Sequence, residues 1–65
     1  MRKKQEWYQV ITSDHNGVVS IAVHDSINDV RAFAASCKET GKAVTAIVFV
    51  RMIDGVPFGQ VIYTG

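Results

Sequence analysis

Apolar side chains recur at every second position over 18–25, at helical spacing over 27–40, and almost without interruption over 43–53. Alternation puts successive side chains on opposite faces of a strand, whereas an i, i+3, i+7 stripe lies along one side of a helix. Residues 7–13 (WYQVITS) combine aromatic and β-branched types and read as a first strand, and 18–25 (VVSIAVHD) as its returning partner. Asp14-His15-Asn16-Gly17 lies between them, and Asn-Gly is a strong hairpin-turn pair. Ser26, three residues before Asp29, has the spacing of a helix-capping box. Ile27, Val30, Ala34 and Cys37 then form the buried stripe of a helix to about residue 40, with Phe33 on its border and Gly41 as the closing residue. Residues 43–53 (AVTAIVFVRMI) give the strongest strand pattern. Asp54-Gly55 is a second turn, and 56–64 (VPFGQVIYT) the last strand. Pro57 has no N–H and Gly59 no side chain, which places this strand at a sheet edge or gives it a bulge. The expected fold class is α+β: a ββαββ unit, its four-stranded, mainly antiparallel sheet carrying one helix packed on one face.

Strand parity sorts the side chains once loop lengths are assumed. With an even loop in each hairpin, Val10 shares a face with Val19, Ile21 and Val23, while Trp7 and Ile11 lie opposite. In the second hairpin Ile47 opposes Ile62, Phe49 opposes Gln60, and Arg51 opposes Phe58. The small apolar set Val44, Ala46, Val48 and Val50 is then the expected seat of the helix. A single helix, about 10 Å wide, covers only one face of such a sheet. The other face keeps Trp7, Ile11, Ile47, Phe49, Phe58 and Ile62 around Arg51, where an antiparallel sheet ordinarily shows polar residues to water. These seven residues are the candidate protein-binding or dimer interface, because contiguous apolar patches with aromatics and Arg are typical of recognition surfaces. Cover from within the chain, by the N-terminal arm, a bulge or a curl of the sheet, is the competing expectation.

Length and composition narrow the function classes. A chain of 65 residues holds one domain, with 1–6 read as a flexible basic arm and 7–65 as the α+β unit. Chains of this size bury only roughly 60% of their unfolded surface and often depend on disulfides, metal or association. The lone Cys37 rules out an internal disulfide, and with no apolar leader segment the expected location is the cytoplasm. The longest apolar run, around 46–50, is far short of the ~20 residues of a membrane span. A net charge of +1 gives no broad basic footprint for nucleic acid.

Asp14, His15, His24, Asp25 and Cys37 are metal-ligand types without the paired spacing of a zinc site, so neither a metal nor another cofactor is expected. Ser26 reads as a helix cap and Cys37 as a small buried hydrophobe, with no context for nucleophilic catalysis. The expected function is therefore not enzymatic. It is a small binding protein, a homodimer that inhibits or regulates a larger protein. In topology and size the pattern is similar to short phage-encoded inhibitors of host enzymes, an analogy that does not itself determine function. The alternative is a single-stranded nucleic-acid binder, in which Phe49, Phe58 and Arg51 stack bases and Arg2, Lys3 and Lys4 form a basic arm.

Overall fold

The computed structural model describes residues 5–65 and shows the expected ββαββ architecture. Strands β1 (Glu6–Ser13), β2 (Val19–His24), β3 (Ala43–Ile53) and β4 (Val56–Thr64) form one antiparallel sheet in the order β2-β1-β3-β4, and helix α1 (Ile27–Glu39) packs on it. Crossing from β2 over the sheet to β3 places β1 and β3 at the centre and leaves β2 and β4 as edges. Residues 1–4, the basic part of the arm, lie outside the described residues. Glu6 opens β1, and the Gln5 carbonyl accepts from the Met52 N–H at 2.8 Å.

Local chemistry explains where the helix begins and ends. Ser26 is extended and its Oγ accepts from the Asp29 N–H at 3.2 Å, satisfying a donor that the first helical turn leaves free. At the other end Gly41 takes φ 79°, and the Lys42 N–H returns to the Cys37 carbonyl at 2.8 Å. Val30 and Cys37 are the buried positions of the helical stripe.

The two hairpins close differently. Asp54 and Gly55 both have positive φ, 51° and 78°, so this is a two-residue turn that pairs Ile53 with Val56 as its spacing predicts. The first turn is odd, not the two- or four-residue loop expected. Gly17 N–H donates to the Asp14 carbonyl at 3.0 Å, and Asp14 N–H donates to the Val18 carbonyl at 3.1 Å. Asp14 Oδ1 also accepts from the N–H groups of Asn16 and Val18, at 2.9 and 3.0 Å. The result is a β-turn followed by a left-handed glycine (φ 81°), the geometry of a three-residue loop. An odd loop reverses the parity of β2. Val10 pairs with Ala22 and Ile11 with Ile21, so Val19, Ile21 and Val23 join the face of Ile11 and not that of Val10.

Two bulges complete the correction. Between β1 and β3 the register steps from Ile11↔Ala46 to Thr12↔Val44, leaving Thr45 as the extra residue, and its hydroxyl donates to the Ile11 carbonyl at 3.0 Å. Between β3 and β4 it steps from Val48↔Val61 to Ile47↔Tyr63, leaving Ile62 extra. The expected Ile47–Ile62 pair is therefore replaced by Ile47–Tyr63.

Candidate functional site: two apolar faces of one sheet

The helix lies on the Val10 side of β1, as expected, but on the Ile47 and Phe49 side of β3, opposite to the one expected. Val10 of β1 is 0% exposed and Val30 of α1 1% exposed, with Thr12 and Cys37 also buried. His24, level with Tyr8 on this face, sets its ring 4.8 Å from that of Phe33 on α1. Tyr8 in turn meets Phe49 at 5.1 Å between ring centroids. The helical stripe thus packs on the face of Val10, Thr12 and His24, which Ile47 and Phe49 continue along β3. The physical reason is the reversed parity of β2: it brings the small Ala22 and the flat His24 ring beside Val10, where a helix can approach.

Of the set expected beneath the helix, Val44, beyond the Thr45 bulge, pairs with Thr12 on the helix side, while Ala46, Val48 and Val50 are left on the outer side. Down the centre of that face run Trp7, Gln9 and Ile11 of β1, paired with Val50, Val48 and Ala46 of β3. β2 adds Val19, Ile21 and Val23, and β4 adds Pro57, Gly59 and Val61. The valines and isoleucine at the two edges, Val19, Ile21, Val23 and Val61, are 57–64% exposed. Gln9, Ser13 and Thr64 are its polar members, and among the described residues no charged side chain belongs to it. Gly59 has a steric role here, since a Cβ at this position would lie 3.2 Å from Val48 Cγ1.

The seven residues singled out from the sequence do not share one face. Trp7 and Ile11 lie on the open face, half-buried. Ile47 and Phe49 are on the helix side, followed along the same side by Arg51 and Phe58 where the β3–β4 hairpin runs on. Ile62 is the bulged residue of β4. Arg51 is engaged: its Nη2 and Nε contact Glu6 Oε2 at 2.9 and 3.0 Å, and its guanidinium stands 6.0 Å from the Phe49 ring centroid. The residues missed were Val19, Ile21, Val23, Val48 and Val61. The signal for the β2 set was present, because Asp at the first and Gly at the fourth position of 14–17 is the signature of a β-turn spanning all four.

Among the described residues, no three His, Cys, Asp or Glu side chains gather as a metal site would require, and no helix is long and apolar enough to cross a membrane. Comparison with protein-family models, with curated proteins and with solved structures finds no match to this chain.

Proposed function

We propose that this chain is a non-enzymatic protein-binding module of the cytoplasm that self-associates through its open sheet face into a homodimer, and in that form regulates or inhibits a larger protein. The observation that carries the reading is an uncharged, β-branched sheet face with no helix over it. Four strands about 4.8 Å apart and eight residues long at about 3.3 Å each give a face of roughly 500 Å². Two such faces stacked bury about 1,000 Å² or more in total, the threshold for a specific interface. Stable homodimers favour apolar surfaces of this kind, with charge kept to the rim. Val and Ile side chains also interdigitate well between stacked sheets, which sit about 10 Å apart. A second copy answers a need of the fold as well, because few apolar side chains among the described residues (Val10, Val30, Cys37 and Val50) are buried in one chain.

Among the described residues, Arg51 is held by Glu6 and the open face presents no cation to a phosphate backbone, so the nucleic-acid reading draws no support from them.

Sedimentation equilibrium tests the dimer. The wild type is expected at twice the 7.2 kDa chain mass, and the Ile21→Asp, Val61→Asp double variant at the monomer mass with an unchanged circular dichroism spectrum. A wild type that stays monomeric at high concentration refutes self-association, and a variant that still dimerises removes this face from it. Phe49→Ser is not a clean probe of association, since Phe49 packs on Tyr8 beside the helix and its loss loosens the fold.

A further inference from the structure

The helix covers only part of its own face. Four strands span about 19 Å and a helix about 10 Å, so one helix occupies roughly half the width. The burial of Val10, Thr12 and the His24–Phe33 contact put α1 over β2, β1 and the near side of β3. Two clefts lie on the uncovered half over β3 and β4. One, of about 560 Å³, is walled by Ala34 and Lys38 of α1 and floored by Val44, Ile47 and Tyr63, with Lys42 at its end. The other, of about 460 Å³, is lined by Phe49, Arg51, Phe58 and Gln60. Ile47 and Phe49 are successive same-face residues of β3, so the two clefts lie in line along one trough beside the helix.

We propose that this trough is the docking site for an amphipathic α-helix of a partner protein, with an apolar stripe toward the sheet and acidic side chains toward Lys38 and Lys42. It is a second surface, on the opposite side of the sheet from the proposed dimer face. Three arguments select this occupant. The free width is that of one helix, and packed helices sit 8–10 Å apart, which sets the newcomer directly against Ala34. The lining carries Lys38, Lys42 and Arg51 and no acidic side chain; Glu6 already offsets Arg51, so the unmatched positive charge is at the lysine end. A strand added to the β4 edge fits less well, because Pro57 has no N–H to offer there and the trough lies on the face. Helix α1 of a second copy does not supply the occupant, since it spends its apolar stripe, Val30 and Cys37, on its own sheet.

The test uses the full chain and three synthetic peptides of about 14 residues. All share a leucine stripe at helical spacing; one is flanked by Glu, one by Lys, and the third is the Glu peptide broken by a central Pro. The Glu peptide is expected to bind about tenfold more tightly than the Lys peptide, as two partly shielded ion pairs would give. Its binding should move the backbone NMR signals of Ile47, Phe58 and Tyr63, and Lys38→Glu with Lys42→Glu should invert the preference. The proposal is overturned if neither peptide binds, if both bind alike, if the Pro-broken peptide binds as well, or if the shifts fall on Val19, Ile21 and Val23. Sedimentation separates the two readings. The lysine variant is expected to keep the wild-type mass, and a monomeric wild type that still prefers the Glu peptide sinks the dimer alone.

Discussion

Buried polar atoms need partners, and His24 exposes the cost when one lacks it. Its ring is well placed, 4.8 Å from Phe33 and on the face that α1 covers. Its Nε2, however, is buried with no hydrogen-bond partner among the described residues. A polar group stripped of water without compensation costs about 1–3 kcal/mol, whereas an apolar group of the same shape in its place pays nothing. His24→Phe keeps a flat ring against Phe33 and removes the orphaned nitrogen. It is expected to raise stability by about 1 kcal/mol, measured by urea denaturation at one fixed protein concentration. An unchanged or lower midpoint would mean that the nitrogen is satisfied in solution. Arg51 shows the opposite case. Its charge is matched by Glu6 across the β1–β3 register, which lets an arginine stand beside Phe49 at little cost.

Among the elements, the turn after β1 decides which face is which. Asp14 closes a three-residue loop, and that odd number sends Val19, Ile21 and Val23 outward and Ala22 and His24 beneath the helix. Deleting Asn16 makes the loop even and turns every β2 side chain to the wrong face. The deletion is expected to cost more than about 2 kcal/mol or to detach β2, while Asp14→Ala, which loses two exposed hydrogen bonds, costs about 1 kcal/mol. Equal effects in a denaturant titration would show that β2 is not held by its parity. The same turn marks the limit of what the sequence discloses. Strands β3 and β4 begin and end where their apolar runs do, and α1 follows its cap and its glycine, because propensity and periodicity are local properties. Face assignment is not local. It depends on one hydrogen-bonded loop and on the bulges at Thr45 and Ile62, each of which inserts a single residue without a change in composition. An excess of apolar strand surface was therefore legible, and the side that carries it was not. Ile21 reads as inward-facing for this reason, whereas Phe49, whose pairing with Gln60 is as expected, reads as outward-facing because the small apolar residues of β3 offer the expected seat of the helix.

For the whole molecule, the argument is one of surface against core. A single helix on a four-stranded sheet leaves Trp7, Ile11 and Val48 only half-buried and Ile21, Val23 and Val61 mostly open. Covering that face from a second chain would add the layer that residues 5–65 do not build. Folding and association then become one reaction, and stability acquires a concentration dependence that a monomer lacks. A hundredfold rise in protomer concentration favours a dimer by RT ln 100, about 2.7 kcal/mol. With an unfolding entropy of about 2.1 cal/mol/K per residue over two chains, the midpoint should rise by about 10 °C. Differential scanning fluorimetry across that concentration range reads the shift directly through Trp7. The Ile21→Asp, Val61→Asp variant is expected to melt lower and at a midpoint independent of concentration. A wild-type midpoint equally indifferent to concentration would mean that the open face does not contribute to folding through association, and the sheet would have to be stable with its valines in water.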